Sequence, residues 1–182
     1  LLVPKVLEHL VAQKRLSMVL AVVETSVDGN GRASYLQSLF YNSAALTLLI
    51  NHVFFDDLLD LTLRQKEATF RATLLGRLFA LDLATQQLVR NNRVDFFLTT
   101  IKSESSVDAR RNLLAQLVRS KSVVTALIKS KQIDLLITLC LEDPDDTKRR
   151  SLLSELLVSP EVLSYLAGTN RLEKVLTDIL AE

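Results

Sequence analysis

Two kinds of charged residue recur along this chain at a constant spacing of 39 positions. The acidic row consists of Asp56, Asp95, Asp134 and Glu173, and the basic row consists of Arg32, Arg71, Arg110 and Arg149. Carboxylates brought together could bind a metal ion or transfer protons, and a row of arginines could bind anions. A single acidic residue in the first turn of a helix is also favoured by the helix dipole, by about 0.3–1 kcal/mol. We therefore interpret the acidic row as a structural feature of helix starts.

The arginine row has two interpretations. Each arginine lies one turn before an apolar stripe, so its methylene groups can cover the edge of the core while its guanidinium bonds a carbonyl or an acidic side chain of the adjoining unit. We prefer this structural ladder, and a ligand-binding ladder is the alternative.

The segment DGNGR, residues 28–32, has the aspartate, asparagine and glycine of a calcium-binding loop. Arg32, Ala33 and Leu39 stand where that loop needs acidic residues or glycine, so we assign the segment to a turn between helices.

Three other residues carry side chains that can bind a metal or act as a thiol nucleophile: His9, His52 and Cys140. His9 and His52 have no second histidine or cysteine at ligand spacing. Cys140 lies in the apolar stretch LITLCLED, where a free cysteine behaves as a small hydrophobe. The sequence thus predicts no catalytic residue, no metal site and no cofactor, and we expect a non-enzymatic protein.

Composition indicates the fold class and restricts the compartment. Apolar residues make up 48% of the 182 residues and recur every three or four positions, while only four glycines and three prolines are available for turns. These features predict an all-α protein. No apolar run reaches the roughly 20 residues that cross a bilayer, and no signal peptide is evident, so we expect a cytoplasmic or nuclear protein. The net charge of +1 disfavours nucleic acid as a partner.

A repeat organises the whole chain. RASYLQSLF at residues 32–40 returns as RATLLGRLF at residues 71–79, and the gapless register continues to residue 182. Each row contains three helical patterns, and the first carries an apolar stripe at Leu36, Leu39 and Phe40 and at the equivalent positions of later rows. We predict a right-handed α-solenoid with a partial repeat at 1–31 and repeats near 32–70, 71–109, 110–148 and 149–182.

The stretch RRNLLAQLVRSKSVVTALIKSKQIDLLITLCLEDPD, residues 110–145, resembles one unit of the armadillo repeat family, and HEAT repeats are the nearest relative. The resemblance implies three-helix repeats and a surface that binds other proteins. Peptide-clamping members such as importin-α carry tryptophan and asparagine on the groove-lining helix. This chain has no tryptophan, and its asparagine column reads Ser38, Arg77, Gln116 and Glu155, so importin-style recognition is not implied.

The family's glycine between its two shorter helices is also replaced, by Val53, Asn92, Lys131 and Asn170. Asparagine tolerates a left-handed backbone, whereas a β-branched residue does not. We therefore expect local irregularity near residue 53.

The pattern opens inside a repeat and closes soon after the third helix of the last row. The first helix offers an apolar series at Leu1, Leu2, Val3, Val6, Leu7, Leu10 and Val11, although solenoid ends normally carry polar caps. We expect the chain to be a fragment of a longer protein, or to cover this end with a partner or a second copy in a homo-oligomer.

The predicted function is that of a protein-interaction scaffold or adaptor. We expect another protein's peptide or helix to bind along its concave surface, in a groove lined by the first helix of each row. The candidate partner-binding residues are Thr73, Arg77, Asn112, Gln116, Arg119 and Lys148. A basic strip along Arg77, Asn112, Gln116 and Arg119 is predicted to receive an acidic segment of the partner. The alternatives are a HEAT-like module that binds nucleic-acid phosphates and an oligomerisation arm built through the uncapped ends.

Overall fold

The computed structural model describes residues 3–25 and 29–180. Within these residues the chain is all-helical, with 79% helix and no strand. The fourteen described helices are α1 (Pro4–Ala12), α2 (Met18–Thr25), α3 (Gly29–Phe40), α4 (Ser43–Asn51), α5 (Phe55–Leu63), α6 (Ala68–Phe79), α7 (Asp82–Arg90), α8 (Val94–Ser103), α9 (Val107–Arg119), α10 (Lys121–Lys129), α11 (Ile133–Leu141), α12 (Asp146–Leu157), α13 (Pro160–Gly168) and α14 (Leu172–Leu180).

The helices begin at regular positions. The long helices α3, α6, α9 and α12 begin at residues 29, 68, 107 and 146, each 39 after the one before. The short helices α1, α4, α7, α10 and α13 begin at 4, 43, 82, 121 and 160, with the same spacing. Helices α5, α8, α11 and α14 follow it as well, and α2 begins two residues later than this spacing would place it. The recurrence of sequence is thus matched by a recurrence of local structure.

One turn repeats with the same spacing. In the described part of the chain the residues with positive φ are Lys14 (56°), Val53 (72°), Asn92 (52°), Lys131 (59°) and Asn170 (56°). In each turn the amide of the next residue donates to the carbonyl five positions earlier, as Phe54 N does to Leu49 O at 3.0 Å. This hydrogen bond closes the end of the preceding helix.

The expected irregularity at Val53 is wrong. Its backbone is left-handed like that of the other four turns, and it makes the same hydrogen bonds. The reason is packing on both sides: Ile50 and Phe55 are 1% and 2% exposed, and Phe55 meets Phe79 edge to face with ring centroids 6.3 Å apart. Burial of these side chains fixes the turn against the preference of valine.

The chain forms two compact units, unit 1 (Leu1–Gln87) and unit 2 (Leu88–Glu182), and the division falls inside α7. In unit 1, α1 packs on α4 and α3 packs on α6, so helices in equivalent positions lie side by side. Leu36, Leu39 and Phe40 of α3 and Leu75, Leu78 and Phe79 of α6 are all buried. The apolar stripe predicted from the sequence is the core of this unit.

In unit 2, the equivalent pairs are α8 with α11, α9 with α12 and α10 with α13. Leu114 and Leu117 of α9 and Leu153 and Leu156 of α12 continue the buried stripe. The short helices differ in how they begin. Ser159 caps α13 by accepting a hydrogen bond from Val162 N, and Asn42 caps α4 of unit 1 by accepting one from Ala45 N. Ser120, which precedes α10, bonds Ser122.

Two further predictions concern the DGNGR segment and the apolar N-terminal series. Gly29 to Arg32, assigned to a turn, form the first turn of α3, and Asp28 lies outside the described residues. Val3 and Val6 of the apolar N-terminal series are 59% and 38% exposed, whereas Leu7 and Leu10 are buried. Leu1 and Leu2 lie outside the described residues.

Among the described helices, none has the length and hydropathy of a membrane span.

Candidate binding groove

The candidate site lies between the long helices α9 and α12 of unit 2. Each helix begins at a side-chain cap, since Ser106 Oγ accepts from Ala109 N at 3.2 Å and Asp145 Oδ1 accepts from Lys148 N at 3.1 Å. Buried leucines hold the two helices together on their inner faces. The exposed faces of the same helices then form an open groove, which we call the α9–α12 groove.

The first part of the groove is a cavity of about 440 Å³. Its α9 side is formed by Asp108, Arg111, Asn112, Ala115 and Arg119, and its α12 side by Lys148, Ser151, Leu152 and Glu155. Most of these side chains are polar or charged, so this part of the groove can hydrogen-bond a ligand.

The second part of the groove is a cavity of about 410 Å³ that shares Arg119 and Glu155 with the first. Its remaining lining is Val118, Lys121, Val124, Val158, Ser159, Pro160 and Glu161. Val158 is 80% exposed, which is unusual for a large apolar side chain, and Val118 and Val124 form a buried floor. This part offers an apolar contact next to the polar one.

An ion pair connects the two parts. Arg119 Nε donates to Glu155 Oε2 at 3.0 Å and Arg119 Nη2 donates to Glu155 Oε1 at 2.7 Å. This bidentate hydrogen bonding to Glu155 is the main cause that raises the pKa of Arg119 above its ordinary value. The charge of Arg119 is therefore balanced within its own unit.

A second ion pair lies at the opposite end of the same helices. Arg111 Nε and Nη2 donate to the two oxygens of Asp143, both at 2.8 Å, and Asp143 is 4% exposed. Asp143 Oδ1 also accepts from Asp145 N at 2.9 Å, next to the start of α12. Hydrogen bonding from Arg111 is the main reason that the pKa of Asp143 lies below its ordinary value.

The pairing of Arg111 with Asp143 was not predicted from the sequence, because their 32-residue separation matches no repeat spacing. Arg119 and Glu155 are 36 positions apart, and this separation does not match the 39-residue repeat either.

Three of the six predicted partner-binding residues lie together in the groove, namely Asn112, Arg119 and Lys148. Asn112 and Lys148 are exposed, and Lys148 forms no ion pair with any part of the chain that the structure describes. Gln116 is half-buried on α9 and is not among the residues that line the groove.

The other two long-helix candidates belong to unit 1. Thr73 and Arg77 are exposed on α6, one turn apart. Thr73 Oγ1 donates to the carbonyl of Thr69 at 2.9 Å, and the Arg77 guanidinium lies over the Tyr41 ring at 4.1 Å from its centroid. Arg77 is thus held by an aromatic face, in contrast to Arg119.

All four arginines of the predicted ladder are half-buried. Arg71 Nη1 donates to Gln65 O at 2.8 Å, and Arg149 Nη1 donates to Asp143 O at 3.0 Å. In both cases the carbonyl lies six residues earlier, just before the long helix, so these arginines tie the helix start to the preceding loop.

The acidic row lies at helix starts, and Cys140 lies in the core. Asp56, Asp95, Asp134 and Glu173 all lie in helix first turns. Within residues 3–25 and 29–180, no three His, Cys, Asp or Glu side chains gather as metal ligands. Cys140 is fully buried, and this burial raises the pKa of its thiol to about 12, which keeps it protonated at neutral pH.

A larger open cavity of about 670 Å³ lies along α13 and α14. Its lining is mainly apolar, with Leu176 and Leu180 38% and 74% exposed, and it contains none of the predicted partner-binding residues. Glu173 is its charged lining residue. With so few polar groups to orient a ligand, this cavity is a weaker candidate than the α9–α12 groove.

Comparisons with protein-family models, with curated proteins and with solved structures found no match for this chain. Functional inference therefore starts from the groove itself and from the recurrence of the helices.

Proposed function

We propose that the chain is a non-enzymatic scaffold or adaptor that binds a peptide or helix of another protein in the α9–α12 groove. The observation that carries this proposal is the junction of a polar cavity and an apolar cavity on one exposed surface. Interaction sites combine these two properties, since apolar contacts supply affinity and polar groups supply orientation.

The groove fits the chemistry of a peptide. Asn112 can donate to a backbone carbonyl and accept from a backbone amide, and the Ser151 hydroxyl can do either. Val158 and Pro160 offer an apolar surface for one anchoring side chain. A ligand that spans both cavities would place that anchor beside the Arg119–Glu155 pair.

We further propose that the helices build a right-handed, armadillo-like α-solenoid with a 39-residue repeat. Three observations support it: helix starts recur at that spacing, the left-handed turns recur at the same spacing, and equivalent helices pack on each other within each unit. A cytoplasmic or nuclear location is part of this proposal.

The nucleic-acid alternative receives less support from the groove. Phosphate binding requires arginines and lysines whose charge is available, and both arginines of the groove are paired with carboxylates of the same unit. Lys148 is the groove cation that makes no ion pair with the described chain. Phosphate binding would also give a steep loss of affinity with added salt, which a peptide anchored by an apolar side chain would not.

The test is affinity capture from nuclease-treated lysate at two salt concentrations, with quantification of every recovered protein. Ser151→Tyr places a bulky ring in the groove, and Ser154→Tyr makes the same change at an exposed position of α12 outside it. We expect a set of proteins that is retained by wild type and Ser154→Tyr and lost from Ser151→Tyr. Recovery that is the same for all three proteins, or that disappears with nuclease, contradicts the proposal.

A further inference from the structure

Arg77 of unit 1 presents a guanidinium that contacts an aromatic ring and is not neutralised. Its Cζ lies 4.1 Å from the centroid of the Tyr41 ring, and Tyr41 is itself 52% exposed. In the part of the chain that the structure describes, Arg77 has no carboxylate partner. The ring attracts the cation but offers no carboxylate oxygens, so the contact leaves the charge of Arg77 available to an external acid.

Unit 2 shows what a carboxylate does at the equivalent place. Tyr41 and Arg77 are 36 residues apart, as are Arg119 and Glu155, and each residue of the second pair lies 78 positions after its counterpart in the first. Both pairs therefore join the end of one long helix to the next long helix. In unit 2 the chain supplies its own acid, Glu155, whereas in unit 1 the contact that the structure describes for the arginine is an aromatic face.

We propose that Arg77, held on Tyr41, is the anchoring site for a carboxylate side chain of a partner peptide. This inference rests on the proposed function, and it names the chemical group that the partner presents. The carboxylate accepts two parallel N–H bonds from the edge of the Arg77 guanidinium, in the way that Glu155 accepts two from Arg119.

The surroundings favour a carboxylate over a phosphate group. A single arginine matches one negative charge, and the ladder arginine on the same helix, Arg71, is half-buried and already bonded to the carbonyl of Gln65. Access is open, since a Cβ added at Gly76, next to Arg77, would meet nothing within 4 Å. A partner chain can thus approach the face of α6 closely.

The site also differs from the basic strip predicted from the sequence. That strip includes both Arg77 and Arg119 as residues that receive an acidic segment of the partner. The ion pair with Glu155 makes Arg119 a weaker anion site in the wild-type chain, so the two arginines are expected to respond differently to the same ligand.

The test is an NMR titration at low salt with hexaglutamate that has blocked ends, while the Nε–H groups of the arginines and the rings of the tyrosines are monitored. Hexaglutamine is the neutral control, and inorganic phosphate is the second anion. We expect hexaglutamate to move Arg77 Nε–H and the Tyr41 ring, and to leave Arg119 Nε–H unchanged. In Glu155→Gln, Arg119 loses its acid and its Nε–H is expected to respond as well.

Two variants separate a specific site from general attraction. Arg77→Met is expected to weaken hexaglutamate binding about tenfold, because charge-assisted bidentate bonds are lost. Arg64→Met removes the same charge from another exposed position of unit 1 and is expected to change affinity less than about twofold, since exposed charges contribute little.

Equal losses in Arg64→Met and Arg77→Met overturn the proposal, as does an equal response of Arg77 and Arg119 in wild type. A stronger response of Arg77 to inorganic phosphate than to hexaglutamate also overturns it and assigns the site to phosphate groups. If hexaglutamate binds at Arg77 while Ser151→Tyr captures the same proteins as wild type, the proposed groove function fails and the carboxylate site stands.

Discussion

Unit 1 packs α3 on α6, and unit 2 packs the equivalent helices α9 and α12; we call these two contacts the α3–α6 junction and the α9–α12 junction. Near the C-terminal ends of these helices, unit 1 places Arg77 on an aromatic ring and unit 2 pairs Arg119 with Glu155. The exposed surface of unit 1 therefore keeps a cation available, and that of unit 2 is close to neutral at the same position.

The two junctions also differ near the N-terminal ends of their helices. Arg111 and Asp143 form a largely buried ion pair in unit 2, and the equivalent positions 78 residues earlier hold Ala33 and Gln65. The repeat thus determines which positions face each other between packed long helices, while the side chains at those positions determine whether an ion pair forms there. Equivalent helices can therefore carry an arginine paired with a carboxylate in unit 2 and an arginine available to a ligand in unit 1.

Removing the buried acid of unit 2 is expected to have the largest effect. Asp143→Ala leaves Arg111 without its main partner and removes the acceptor for Asp145 N. We expect a loss of about 3 kcal/mol in the free energy of unfolding, because breaking one side of a buried pair leaves an uncompensated charge. Urea denaturation measures it.

Asp108→Ala is the matched control. Asp108 also contacts Arg111, at 2.8 Å, but its side chain is 87% exposed. We expect a change of less than about 0.5 kcal/mol. Comparable losses from Asp108→Ala and Asp143→Ala would show that burial does not distinguish the two contacts.

The Asp143 contribution should also depend on pH. Its folded-state pKa lies below the ordinary value of 3.8, so its stabilisation is complete above that value and is lost as pH falls through the lower, folded-state pKa. The stability difference between wild type and Asp143→Ala should therefore be constant near neutral pH and shrink on acidification below 3.8. A difference that grows on acidification contradicts the assignment of the charge to Asp143.

The left-handed turns provide the next comparison between the units. Val53 of unit 1 and Asn92 of unit 2 share the same backbone conformation, which is unfavourable for a β-branched residue. We expect Val53→Asn to stabilise the protein by about 1 kcal/mol and Asn92→Val to destabilise it by a similar amount. Thermal denaturation of both variants measures the effect, and destabilisation by Val53→Asn would mean that Val53 makes a contact worth more than its strain.

The smallest effects are expected for the Arg119–Glu155 ion pair and the Tyr41–Arg77 contact. Double-mutant cycles to alanine should give coupling energies of about 0.5–1 kcal/mol for Arg119 with Glu155 and about 0.5 kcal/mol for Tyr41 with Arg77. Added salt should reduce the first coupling more strongly, since both its partners carry full charges. If salt reduced both coupling energies equally, the two contacts would not differ in their electrostatic character.

Much of the helical core is predictable from the sequence because it depends on spacing alone. The stripe at Leu36, Leu39 and Phe40 is buried as its helical periodicity predicts. Val53 was mispredicted because residue preference was weighed without the burial of Ile50 and Phe55, which holds the turn in place.

The site is only partly predictable. Asn112, Arg119 and Lys148 were named from the exposed face of the long helices, and they do line one groove. The partner of Arg119 was not named, because pairing depends on which helices lie side by side and how their side chains are oriented. The 36-residue offset shared with Tyr41 and Arg77 becomes readable only once that packing is known.

The most direct test of this account compares the guanidinium groups of Arg77 and Arg119 in the unliganded protein by nitrogen-detected NMR. Two parallel hydrogen bonds to Glu155 should restrain rotation about the Cζ–Nε bond of Arg119, giving separate Nη signals, whereas Arg77 on Tyr41 should show one averaged signal. Collapse of the Arg119 signals in Glu155→Gln would complete the expected result. Averaged signals for both arginines in wild type, or restrained rotation at Arg77 alone, would contradict the claim that Arg119 is held by a carboxylate while Arg77 is available to a ligand.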